Sequence, residues 1–154
     1  MILEGPSLEY QAYIRTDPHK LWEAITSPEQ TKKYFYGLAV QSDFKPASTI
    51  KHLFPDGNSQ IEGKVIEADP GRKLVHTFAT TGVSDPPSRV TYEIEPMGGV
   101  TLLTLTHDKF GGQTQTFESV RRGWNPVISG LKTLLETGRP LEIPMPDPAQ
   151  AARS

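Results

Sequence analysis

Residues 113–138 read QTQTFESVRRGWNPVISGLKTLLETG. Within them Phe117, Val120, Trp124, Val127 or Ile128, Leu131 and Leu134 or Leu135 recur every three or four positions, the period of a helix with one broad apolar face. About 22 helical residues rising 1.5 Å each span about 33 Å, the width of a small domain, so this helix is expected to cross the body of the protein. Gly111-Gly112 precede it, Gly138 offers a C′ glycine and Pro140 stops it. Asn125-Pro126 interrupts the pattern. A proline here removes one backbone N–H and crowds the carbonyl of Arg122, which costs about 3 kcal/mol in a straight helix. The stretch is therefore expected to be one helix kinked at Pro126; the alternative is two helices, the second capped by Asn125 with Pro126 at its first position.

Everything upstream reads as short elements. Leu8, Tyr10, Ala12 and Ile14 alternate with Glu9, Gln11, Tyr13 and Arg15, which predicts a strand over Leu8 to Arg15 with one buried face. Asp17 offers an N-cap with Pro18 at the first helical position, and Leu21, Trp22 and Ile25 give an apolar face to a short helix from Pro18 to Thr26. Ser27 and Gln30 have capping-box spacing, so a second helix is expected from Pro28 to about Phe35. Six further strands follow: Leu38 to Phe44, Ser48 to Phe54, Gln60 to Ala68, Arg72 to Thr80, Arg89 to Glu95 and Val100 to Asp108. Turn formers separate them, among them Pro55-Asp56-Gly57-Asn58, Asp69-Pro70-Gly71 and Met97-Gly98-Gly99. Connections this short imply antiparallel pairing, because parallel strands need crossovers of a dozen or more residues.

Composition narrows the function. A chain of 154 residues fits one domain, long enough to bury roughly 68 to 70% of its unfolded surface. The expected division is a domain over 1–138 and a Pro-rich, extended or disordered tail over 139–154. The absence of cysteine removes disulfides, thiolate catalysis and cysteine metal sites together. A net charge of -2 without a Lys/Arg block argues against nucleic acid as a partner. With no leader-like opening and no run long enough for a membrane span, a cytoplasmic protein is expected.

The order strand, two short helices, six strands, long helix is the helix-grip arrangement, an α+β fold in which a curved antiparallel sheet of about seven strands wraps one C-terminal helix. Local motifs sharpen it: Gly63-Lys64-Val65-Ile66-Glu67-Ala68-Asp69-Pro70, Arg72-Lys73-Leu74-Val75, Ser88-Arg89-Val90-Thr91-Tyr92-Glu93-Ile94-Glu95-Pro96, Leu103-Thr104-Leu105-Thr106-His107, and Gly123-Trp124 before Leu131-Lys132-Thr133-Leu134-Leu135-Glu136-Thr137-Gly138. Over Leu8 to Gly138 the chain resembles the SRPBCC (START-like, Bet v1-like) superfamily, and within it the activator of Hsp90 ATPase homologue 1-like branch. The resemblance implies a cavity between sheet and helix for a small apolar or amphipathic ligand. It also admits two other roles: a chaperone-associated or stress-response module, alone or as a homodimer, and a cyclase-like enzyme using cavity histidines.

Strand parity places Leu74, His76 and Phe78 on one face, with Val90, Tyr92 and Ile94, and Leu103, Leu105 and His107, likewise grouped. The candidate ligand-binding residues are Tyr34, Phe35, Phe54, His76, Phe78, Tyr92, His107, Trp124 and Ile128. His52, His76 and His107 point inward from alternate strands, which spaces them about 10 Å apart at Cβ, too far for a shared zinc unless the sheet curls tightly. No metal or cofactor is expected. No catalytic residue is assigned either: G-x-S-x-G, P-loop, dinucleotide and H-E-x-x-H motifs are absent, and His107-Asp108 point to opposite faces. His19 is expected to be solvated.

Overall fold

The computed structural model describes residues 5–144. Strand β1 (Leu8–Ile14) is followed by helices α1 (Pro18–Thr26) and α2 (Pro28–Thr31), then by β2 (Ala39–Ser42), β3 (Thr49–Leu53), β4 (Ser59–Asp69), β5 (Lys73–Thr80), β6 (Ser88–Met97) and β7 (Val100–Asp108), and finally by α3 (Gln115–Thr137). The seven strands form one antiparallel sheet in the order β1-β7-β6-β5-β4-β3-β2, a meander whose first strand returns to pair with its last. Register shifts at His52/Leu53 and Val65/Glu67 add the local twist that bends a sheet around a helix. This is the helix-grip fold.

Parity in the sequence holds on the concave face. Leu74, His76, Phe78, Val90, Tyr92, Ile94, Leu103, Leu105 and His107 are all buried, and they meet Trp124, Val127 and Leu131 of α3. The α3 N-terminus is fixed twice: Thr114 Oγ1 accepts from Phe117 N, and one carboxylate oxygen of Asp85 accepts from both the N–H and the hydroxyl of Thr116. At the other end Gly138 adopts φ 77° and its N–H donates to Leu134 O, an αL cap that favours glycine.

One alternative falls and one expectation is corrected. The helix is not split at Asn125, because it runs unbroken through Pro126. The carbonyls on either side of the one that Pro126 leaves without its i+4 donor receive tyrosine hydroxyls, Tyr10 to Arg121 O at 2.9 Å and Tyr36 to Gly123 O at 2.7 Å. The second short helix ends at Thr31 rather than near Phe35, and no capping box forms, since the Ser27 side chain makes no cap bond. Ser27 already closes α1 through its N–H to Glu23 O. Beyond Thr31 the chain tightens into turns, and Tyr36 and Gly37 take φ 53° and 76°, which a helix cannot continue. Residues 139–144 carry no regular secondary structure, and the rest of the expected tail lies outside the described residues.

Candidate functional site

A cleft of about 690 Å³ opens between α3 and the β4–β5 side of the sheet. Its walls are largely apolar: Phe35 and Leu38 from the segment after α2, Ile61 and Phe78 from the strands, and Val120, Trp124 and Val127 from the helix. Gln60, Thr80, Ser119 and Arg122 add polar groups around them. Tyr36 and Phe54 stand at the rim, 46% and 41% exposed. Phe54 reaches the rim because β3 stops at Leu53 and its N–H donates to Asn58 O across a turn.

Of the nine sequence candidates, Phe35, Phe54, Phe78 and Trp124 border this cleft. The other five do not. Tyr34 turns its hydroxyl to Ala24 O and packs on Gly130, where a Cβ would lie 3.1 Å from Tyr34 Cβ. Ile128 packs beside the core half-buried, and Tyr92, His76 and His107 are buried beneath the cleft. Ser119, Arg122 and Pro126 escaped the sequence reading, although their i, i+3, i+7 spacing puts them on one helix face. Gln60 and Thr80 lie at the ends of their strands, where parity carries less information about facing.

Trp124 is the hub of the aromatic layer. Phe35 meets it edge-on at 5.6 Å, with His107 at 5.9 Å and Phe78 and Tyr92 at 6.5 Å. Its indole N–H donates to His107 Nδ1 at 3.0 Å. An indole can only donate, so Nδ1 is bare and the imidazole proton sits on Nε2, which donates to Ser88 Oγ at 2.7 Å. The Ser88 hydroxyl in turn donates to Phe78 O at 3.2 Å. Every polar atom of His107 is satisfied, and burial, with His76 nearby, pushes it down to about 3. It remains neutral and holds the tryptophan in place.

His52 and His76 differ. His76 Nδ1 lies 2.7 Å from Thr77 O, so it carries the proton and donates, and Nε2 is left as an acceptor. Gly63 makes that geometry possible: a Cβ there would lie 1.9 Å from the same Thr77 carbonyl oxygen. Among the described residues, His76 Nε2 and His52 Nδ1 are the buried side-chain nitrogens or oxygens without a hydrogen-bond partner. Burial lowers His76 to about 4 against the opposing pull of Thr77 O, and lowers His52 to about 3 with help from His76. The two rings lie 6.4 Å apart at their centroids, because inward side chains on a concave sheet converge. Among the described residues no three His, Cys, Asp or Glu side chains are placed to hold a metal ion, and no helix is long and apolar enough to cross a membrane.

A curved sheet gripping one helix, with a half-open apolar cleft along their junction, defines a helix-grip protein. The sequence profile described as "Activator of Hsp90 ATPase homolog 1-like protein" matches residues 15–136. The chain belongs to that family. Its fold is similar to that of the Aha1 dimer from Colwellia psychrerythraea, at 20% identity over 86% of this chain and 98% of that one, with a TM-score of 0.71. CalU16 from Micromonospora echinospora is similar at 20% identity over 95% of this chain and 80% of that one, TM-score 0.72. An Hsp90 activator from Plasmodium falciparum is similar at 21% identity over 85% and 96%, TM-score 0.71. At these identities the likeness is one of fold. No curated protein matches the sequence.

Proposed function

We propose that this protein binds a small hydrophobic or amphipathic molecule in the cleft beside Trp124. The observation that carries this reading is the cleft itself. Its volume of about 690 Å³ suits a metabolite-sized ligand, and its largely apolar wall with a few polar groups has the make-up of small-molecule sites. The aromatic rings offer flat faces for a ring or a chain, and Arg122 and Gln60 can meet a polar end. The site has the equipment of a binder more than that of a catalyst. Its lining residues include no histidine; beneath it His107 is committed to Trp124, and burial shifts the hydroxyls of half-buried Tyr34 and buried Tyr92 up.

The test uses Trp124 as its own reporter. In a Trp22→Phe background, native mass spectrometry and tryptophan emission are followed against a panel of fatty acids and aromatic metabolites. A one-to-one complex that changes Trp124 emission, and that Phe54→Asp weakens without lowering stability, is the expected result. A folded protein that binds nothing in the panel overturns the proposal. Should it then alter the ATPase rate of an Hsp90-type chaperone, the interaction role that the family description suggests would replace it.

A further inference from the structure

One ring lies between the cleft and His52, the first of two unsatisfied histidines. Phe35 borders the cleft on one side and stacks on His52 at 4.7 Å on the other. Neither His52 nor His76 borders the cleft. Both are almost fully buried, and each keeps a nitrogen without a partner in a layer whose other inward side chains are mostly apolar. A buried polar atom left unpaired carries its full desolvation penalty, so two adjacent ones favour any arrangement that supplies a partner.

The chemistry of that partner follows from the two nitrogens. His76 Nε2 is an acceptor, because Nδ1 is committed to Thr77 O. His52 makes no such bond at Nδ1, so its proton is free to reside there and make it a donor. With the centroids 6.4 Å apart the rings are too distant to bond each other, and a single oxygen between them can serve both. A hydroxyl both donates and accepts. A carboxylate cannot donate to Nε2, and a buried ammonium would find no carboxylate in this layer to offset its charge. The surroundings are flat: Tyr92 stacks on His76 at 6.1 Å, and Trp124 lies edge-on to both Tyr92 and Phe35.

We propose that His52 and His76 form an inner polar subsite, reached from the cleft when Phe35 swings aside, which takes the hydroxyl of a planar aromatic ligand of the phenol or naphthol type. The subsite rests on the ligand-binding reading of the cleft and adds the identity of the group that is bound deepest. Phe35 is joined to a point of backbone strain. The next residue, Tyr36, holds a left-handed φ of 53° that a non-glycine residue adopts at a cost, and its half-exposed side chain is tied to α3 by the single hydrogen bond to Gly123 O. In this proposal the release of that bond is the step that lets Phe35 leave its place between His52 and Trp124.

The experiment compares 2-naphthol with 2-methylnaphthalene, equal in shape and differing in the hydroxyl, by calorimetry on the full chain. The wild type should bind 2-naphthol at least about tenfold more tightly, the worth of one net hydrogen bond to a buried acceptor. His76→Leu should bind the two probes equally, and His76→Gln, which keeps an acceptor if the leucine variant folds poorly, should retain part of the preference. In ¹⁵N spectra of labelled histidine, 2-naphthol should shift His76 Nε2 and leave His107 unmoved. Equal affinity of the wild type for both probes overturns the inner subsite and leaves the cleft as the binding site. A preference that survives in both His76 variants, or a bound structure with the naphthol hydroxyl in the outer cleft and only water on His76 Nε2, overturns it as well. Binding of neither probe also overturns it, and the wider panel then decides the cleft reading separately.

Discussion

The two sides of the concave sheet treat their histidines in opposite ways. On β7, His107 is closed into a chain running from Trp124 through its own ring to Ser88 and Phe78 O, with a donor and an acceptor at every step. On β3 and β5, His52 and His76 sit at similar depth, and each leaves a nitrogen unpaired. Burial depresses all three, so depth alone does not distinguish them. The distinction is one of hydrogen-bond accounting. The paired histidine fixes structure, while of the unpaired ones His52 lies against Phe35, the ring that borders the cleft on its other side.

Acid gives the largest effect. Each histidine has a folded value below its ordinary 6.5, so the unfolded chain takes up protons first as the pH falls. Their contribution is complete above pH 6.5 and declines below it, down to about 4 for His76 and about 3 for His52 and His107, by roughly 1.4 kcal/mol per pH unit for each group. Summed over three groups this rivals the whole stability of an ordinary domain, about 5–15 kcal/mol. Urea denaturation across this range should therefore show a steep loss, reduced to about a third of its slope in a His52→Leu/His76→Leu double variant. A flat profile from pH 6.5 to 5 would mean that the histidines are not held neutral.

Gly63→Ala comes next. Its new Cβ would strike the Thr77 carbonyl that fixes the His76 tautomer, and we expect a loss of roughly 3–5 kcal/mol by thermal or chemical unfolding, as for other severe backbone clashes. Unchanged stability would show that β4 and β5 can separate there at no cost. His107→Leu strands the Trp124 N–H and the Ser88 hydroxyl, and should destabilise by about 2–4 kcal/mol, with a shift in Trp124 emission. His76→Leu should cost less, about 1 kcal/mol, because it gives up the one hydrogen bond from Nδ1 to Thr77 O while the Nε2 acceptor it also removes has no partner. If the two leucine variants are equally destabilised, the contrast between the two sides fails. Smallest is Tyr36→Phe, which loses one partly exposed hydrogen bond worth about 0.5–1 kcal/mol and should speed ligand entry in stopped-flow fluorescence.

Much of this architecture was legible in the sequence, for identifiable reasons. Period-two alternation located the strands to within a residue or two and assigned the buried faces of β5, β6 and β7, because a side chain in a strand has only two directions to point. Asp17-Pro18 gave the start of α1 because a cap is a local interaction. Ser27 and Gln30 misled because one residue serves both the end of α1 and the start of α2, so its side chain is not used as the spacing suggests. The cleft was only half legible. Phe35, Phe54, Phe78 and Trp124 border it, but Arg122 and Gln60 reach it through the way the helix lies across the sheet, which no window of sequence encodes. The difference between His107 and His76 was invisible for the same reason. Parity turns both inward, and only the fold brings Trp124 and Ser88 to the first and the Thr77 carbonyl to the second.

The place of β1 in the sheet bears on how the chain is made. β1 pairs with β7 and with no other strand, and its Tyr10 hydroxyl closes on Arg121, 111 residues later. During synthesis the first strand therefore has no partner until residues 100–108 have left the ribosome. Contacts between such distant residues slow folding, because a long loop must close before any of them is formed. In that interval the inner faces of β5 and β6 lack α3, whose residues are the last of the fold to emerge. A chain that stalls before residue 115 would thus present an open apolar sheet, and we expect such truncated products to be held by chaperones or degraded rather than to accumulate as a smaller folded form.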